Sequence, residues 1–361
     1  MNHKTLILLL IYNLFTTAHA EESEKQVENL EDLSVLGAGY QPNTVKLLPE
    51  SSSILQDTAD VLKKIPGAYV NKNGALSGIA QYRGLFGSRV NVQADGVQVV
   101  ESCSNSMDAA MSHVPASMVD AVILQRGISP ISQGMETLGG SIEVLSKSLD
   151  SQAEGFSGDI SIGYSSANEG KTTALNTRYK TDNHAIFWGL DSERGNNQST
   201  PLGKNIFTGL ERDFYSASYQ YDNGQQRLVL SSNYNDTGET GTPALPMDIT
   251  YAQGGISQLD FTTTLNEQWK LNAALSYQYT KHLMDNYLHR TQLPVSQRAS
   301  LTRVNKNGFS LQASKSNDDG GVSFGLDFDD VDNTADISNP NNAQFHITNF
   351  DVNKQRISFF T

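Results

Sequence analysis

From residue 149 to the end, apolar and polar residues alternate in segments of about ten residues. Phe156, Ile160, Ile162 and Tyr164 form one such series. Ile186, Trp188 and Leu190 form another, then Tyr215, Ala217, Tyr219 and Tyr221, then Leu259, Phe261 and Leu265. A period of two puts one set of side chains on each face of a strand. The connectors between segments also alternate in length. Thr181-Asp182-Asn183, Asp222-Asn223-Gly224 and Asn266-Glu267-Gln268 are short, whereas Glu193 to Gly209, Asn235 to Gly255 and Asp285 to Ala299 are long. Short turns at one end and long loops at the other are the pattern of an antiparallel membrane β-barrel, and about ten strands are expected. A soluble β-sandwich would show the same alternation. The hydrophobic fraction of 38% and mean hydropathy of −0.40 suit either, because only every second barrel residue faces lipid.

The first twenty residues favour export. Lys4 precedes an apolar run from Leu6 to Phe15, and Ala18-His19-Ala20 fits a small-x-small cleavage pattern, so residues 1–20 read as a signal peptide. No later segment approaches eighteen apolar residues, so no transmembrane helix is expected, and an exported chain of this kind is periplasmic, secreted or an outer-membrane barrel. Residues 21–50 are polar and acidic and read as a mobile tail, with a β-prone patch at Leu33-Ser34-Val35-Leu36. Residues 51–148 have a globular texture. Asp57 to Lys64 reads as a short helix capped by Asp57 and ended by Pro66-Gly67. Ala68 to Val70, Arg89 to Val92, Val97 to Val100, Val119 to Leu124 and Ser141 to Leu145 read as strands, with Asp95-Gly96 as a tight turn. Residues 51–148 are thus expected to form a small α+β domain and 149–361 a barrel portion. The net charge of −13 disfavours nucleic acid as a partner.

The run Asp60-Val61-Leu62, Ile65-Pro66-Gly67, Tyr82-Arg83-Gly84, Arg89-Val90, Asp95-Gly96-Val97, Ala121-Val122-Ile123-Leu124, Arg126-Gly127 and Gly139-Gly140-Ser141-Ile142 resembles the plug of the TonB-dependent receptors in order and spacing. The resemblance implies a plug inside an outer-membrane barrel. It also implies that Asp32, Leu33, Ser34, Val35 and Leu36 contain the strand grasped by the energy-coupling protein TonB. Plugged transporters have about 22 strands, more than the residues after Ser148 supply once loops are added. The barrel is therefore expected to be incomplete in this chain.

No catalytic constellation is evident: there is no Gly-x-Ser-x-Gly elbow, phosphate loop or His-Glu-x-x-His pair, so an enzyme is not expected. The informative residues are soft donors. Cys103 is the single cysteine, and Met107 lies four residues on; in a helical turn both sulfurs would share a face. Taken alone, that pair reads first as core packing. On the segment Leu271 to Met284, the odd positions Leu271, Ala273, Leu275, Tyr277, Tyr279 and Leu283 read as lipid-facing. The even positions Asn272, Ser276, Gln278 and Thr280 read as lumen-facing, and His282 and Met284 continue that inward register at the long-loop end. Thiolate, thioether and imidazole together select copper.

With both pairs present, the chain resembles the copper-receptor subfamily of the TonB-dependent receptors, marked by Cys-x-x-x-Met on the plug and His-x-Met on the barrel. That resemblance implies copper as the transported ion, held by Cys103, Met107, His282 and Met284, with TonB and outer-membrane lipid as partners. Met111, His113 and Met118 are candidate secondary sites for a moving soft metal, although methionine is also a common gap-filler. The alternatives are uptake of a metal chelate (siderophore, haem or cobalamin) and passive copper binding at the surface.

Overall fold

The computed structural model describes residues 44–47, 57–76, 78–103, 105–127, 139–147, 154–199, 201, 207–266, 268–317 and 320–360. The expected signal peptide and the Asp32–Leu36 segment lie outside these residues. No described helix is long and apolar enough to cross a membrane.

The plug is built from two small sheets. In one, β1 (Thr44–Leu47), β7 (Val119–Gln125), β8 (Ser141–Ser146), β5 (Asn91–Ala94) and β6 (Val97–Gln98) lie in that order. In the other, β2 (Ala68–Lys72), β3 (Gly78–Tyr82) and β4 (Leu85–Phe86) form a meander. The expected helix is a 3-10 helix, Thr58–Lys64, and Asp57 caps it by accepting from the Ala59 N–H at 2.9 Å. Its Val61 and Leu62 join Val122, Leu124, Ile142 and Val144 in the plug core. Asp95 and Gly96 both have positive φ, 49° and 82°, which gives the two-residue turn between β5 and β6 a conformation that glycine relieves. One boundary moves: Thr44–Leu47, assigned to the mobile tail by composition, is a strand paired antiparallel with β7 from Thr44↔Gln125 to Leu47↔Val122. Val45 and Leu47 pack against the plug core, and that tertiary burial outweighs the polar texture around them.

After the plug come ten antiparallel strands in sequence order: β9 (Gly155–Ser165), β10 (Gly170–Lys180), β11 (His184–Gly195), β12 (Leu210–Asp222), β13 (Gln226–Thr237), β14 (Asp248–Thr264), β15 (Trp269–Asp285), β16 (Ala299–Asn317), β17 (Gly320–Asn339) and β18 (Asn342–Phe360). Phe156, Ile160, Ile162, Trp188, Leu190 and Tyr215 are exposed on the outer face, as the alternation requires. The strands run further than patterning suggests. β13 and β14 pair as far as Thr237↔Ala252, so the connector expected over Asn235 to Gly255 shrinks to residues 238–247. Backbone pairing continues past the point where the apolar alternation fades.

Candidate metal centre at the plug–barrel seam

β15 positions half of the candidate centre. Gln278, Thr280, His282 and Met284 are buried, while Leu275 and Tyr277 are exposed, so the expected inward register holds. Gln278 fixes the plug against this strand: its Nε2 donates to the Val100 carbonyl at 2.7 Å and its Oε1 accepts from the Val100 N–H at 3.0 Å. Cys103 follows three residues later.

The plug half is a loop over residues 101–103 and 105–109, so the condition of a helical turn for the Cys-x-x-x-Met pair is not met. Ser106 adopts φ 49°, and its N–H donates to the Cys103 carbonyl at 2.9 Å. Asp108 supplies the order that a helix would have given. Its Oδ2 accepts from the Ser102 N–H and Oγ, both at 2.7 Å, and its Oδ1 accepts from the Cys103 N–H at 3.0 Å. Glu101 closes the loop from the other side, accepting from Ser106 Oγ at 2.5 Å and from the Ala110 N–H at 3.2 Å.

Cys103, Met107 and Met284 meet in one buried cluster with Ile249 and Ala252. The Cys103 Sγ lies 4.0 Å from the Met284 Sδ. His282 is completely buried, and neither of its ring nitrogens has a hydrogen-bond partner. Its Nδ1 is 3.9 Å from Asp108 Oδ1. One ligand atom each from Cys103, Asp108 and His282 lie within 4.8 Å of one another. An imidazole buried with both nitrogens idle is costly unless something occupies the space beside it. The Cys103 thiol is pushed up to about 12, first by burial and then by the Asp108 carboxylate, so it is held neutral.

All four primary candidates from the sequence therefore converge. The secondary three do not join them. Met111 and Met118 lie in the plug core, and Met118 packs at Gly189 of β11. His113 is buried beside Arg212, with its Nε2 lacking a hydrogen-bond partner. Asp108 escaped the sequence reading, because a single carboxylate five residues after Cys103 carries no pattern; its three bonds back to Ser102 and Cys103 and its approach to His282 reveal it.

A second buried corner of the seam has the opposite chemistry. Arg212 on β12 pairs with Glu193 on β11 at 2.9 Å, both almost fully buried, and its Nη1 donates to the plug carbonyl of Ser112 at 3.1 Å. The plug's Ser117 Oγ donates to Asp191 on β11. Asn176 of β10 donates to the Ser117 carbonyl at 3.1 Å. A cavity of about 470 Å³ lies beside the plug against β17 and β18, lined in part by Val100, Glu101, Asn333, Phe350 and Arg356.

Residues 50–141 match the family model of the TonB-dependent receptor plug domain. Among solved structures, the chain is similar to the copper transporter OprC, with a TM-score of 0.77 and 22% identity over 85% of this chain and 49% of that one. It is similar also to a double mutant of the Serratia marcescens hemophore receptor HasR in complex with its hemophore HasA and heme, with a TM-score of 0.65 and 14% identity over 88% and 59%. The ferric citrate transporter FecA in the unliganded form gives a TM-score of 0.59 and 15% identity over 90% and 52%. The chain thus spans about half the length of these proteins, and at such identities the likeness is one of fold.

Proposed function

Because the chain carries the plug and barrel sheet of a TonB-dependent receptor, we propose that it serves to import copper across the outer membrane, with Cys103, Met107, His282 and Met284 as the ligands. The observation that carries this reading is the meeting of three sulfurs, two from the plug and one from the barrel, beside a buried imidazole without partners. Soft sulfur donors with one imidazole favour copper over the hard ions that oxygen ligands select. Asp108 orders the loop that presents Cys103. A site shared between plug and barrel couples occupancy to plug position, which suits transport better than passive storage.

Energy would enter through Asp32, Leu33, Ser34, Val35 and Leu36, offered to TonB as an added strand. Deleting these five residues should abolish copper accumulation in cells and leave copper binding to the purified receptor intact. The likeness to receptors of iron chelates supports a second reading, in which the 470 Å³ cavity takes a chelate. Metal analysis of the purified chain after dialysis against copper, or against ferric citrate, separates the two. One copper per chain that is lost in Cys103→Ser supports copper uptake. Retention of copper in that variant, or iron in place of copper, overturns it.

A further inference from the structure

At the long-loop end above the sulfur cluster the connector between β15 and β16 meets the one between β13 and β14, and one side chain fastens the two. Arg290, in the connector between β15 and β16, reaches 42 residues back along the chain to Asp248, the first residue of β14, and to the connector just before it. Its Nε and Nη2 each donate to the Asp248 carboxylate at 2.7 Å, a two-pronged ion pair. Its remaining bonds go to backbone carbonyls: Leu245 at 2.5 Å, Thr242 at 3.1 Å and Met247 at 3.3 Å. Asp248 also accepts from the Thr242 N–H at 2.9 Å, so the segment 242–248 curls around one guanidinium. Only arginine offers enough donors in a planar fork to make this set.

The curled segment covers the candidate centre. Leu245 and Met247 pack against the cluster of Cys103, Met107, Ile249, Ala252 and Met284. On its far side the segment touches the plug: the Ala244 N–H donates to the Asn73 carbonyl at 3.4 Å, and a Cβ at Gly74 would stand 2.3 Å from the Gly241 carbonyl oxygen. The neighbouring His289 adds a second fastening, with its Nε2 2.8 Å from Glu239 Oε2 and its ring stacked on Phe207 at 3.6 Å. Besides these ties the segment has the bridge Thr240↔Ile249 and two backbone bonds to its neighbour, from the Gly238 N–H to the Glu211 carbonyl and from the Gly241 N–H to the Gly209 carbonyl, both at 2.9 Å.

We propose that residues 238–247 form an outer lid over the metal centre and that Arg290 is the positioning residue that keeps it shut. The lid rests on the copper reading for its cargo, but its closure is a property of the loops themselves. With the lid shut, metal on Cys103 is screened from the long-loop side by Leu245 and Met247. With Arg290 removed, Asp248 is left buried without its counter-ion, and the curl loses the centre it winds around.

Cys103 is the single cysteine of the chain, so thiol labelling reads lid opening without any metal. The receptor is displayed in intact cells and exposed to a membrane-impermeant, charged maleimide. Wild type should label slowly, and Arg290→Ala and Asp248→Asn at least tenfold faster. Arg290→Lys keeps the charge but not the fork; it should also label faster and covers the case in which the alanine variant fails to reach the surface. In purified receptor loaded with copper, the same variants should release metal to an external chelator at least tenfold faster while binding the same amount per chain. A purely structural role for Arg290 would lower the bound amount and the melting temperature without a selective rise in release rate. Labelling at the wild-type rate in all three variants overturns the lid. Fast labelling with no copper bound by any form keeps the lid and overturns the copper reading.

Discussion

The two buried corners of the plug–barrel seam differ in what they lack. At Arg212 the groups are charged and hard: the guanidinium lies 2.9 Å from Glu193 and donates to a plug carbonyl, and the plug's Ser117 hydroxyl donates to Asp191. At Cys103 the groups are soft and underused, with a neutral thiol 4.0 Å from a thioether and an imidazole without hydrogen bonds. Both corners join the same two parts of the molecule. The first joins them whether or not a ligand is present. On the copper reading the second is completed by the metal, so its contribution to plug–barrel adhesion should then depend on copper.

The largest expected effect separates the corners by ligand. Cys103→Ser should weaken copper binding by about three orders of magnitude or more, since it removes the strongest soft donor, and should leave the melting temperature of the metal-free receptor nearly unchanged. Copper titration and a thermal melt of the same sample check both halves. The mirror-image substitution, Arg212→Met, should destabilise the metal-free protein by about 3–5 kcal/mol, because Glu193 would be left buried without its counter-ion. At temperatures where that variant remains folded, its copper stoichiometry should equal that of wild type. Equal losses of stability in Cys103→Ser and Arg212→Met would erase the distinction between the corners.

Smaller effects sharpen the sulfur corner itself. His282→Ala and Met284→Ala should each weaken copper binding by about ten- to a hundredfold, the loss of one donor from a preformed set. Leu283→Ala, between them and half-buried on the other face, should change affinity less than about twofold. Proton competition comes next. Because the Cys103 thiol lies near 12, it is protonated throughout the accessible range, and binding as thiolate must expel that proton. Apparent copper affinity should therefore rise with pH, by about tenfold per unit between pH 6 and 8; a flat profile in isothermal titration would mean that the thiol is not a ligand.

These corners were not equally legible. The barrel register, and with it the inward aim of His282 and Met284, followed from strict alternation on β15, since sheet geometry leaves no other face for them. Cys103 and Met107 were legible as a soft-donor pair, but not the backbone that joins them: an irregular loop ordered by Asp108 sets their approach in place of a helical turn. The Arg212–Glu193 pair and the Arg290–Asp248 clamp were not legible. Their partners sit on different strands or loops, and nothing periodic in a sequence marks a contact between connectors. β1 escaped for a related reason: four residues with two apolar side chains look like tail until the exposed edge of β7 is there to receive them.

That short strand gives the molecule a mechanical order. Any tension arriving from the N-terminal side of Thr44 enters the plug through β1 before it can load another strand. β1 is four residues long, sits at the margin of its sheet and has β7 as its single paired neighbour. It is therefore the fuse of the plug: the first element to yield, and a small one. Its release would bare the edge of β7 and withdraw Val45 and Leu47 from the core while the anchors at Val100, Ser112 and Ser117 still carried no load. In a single-molecule pull from the N-terminus, a low-force step of a few residues should precede any larger extension, and rupture should begin far from the Cys103 corner, not at it.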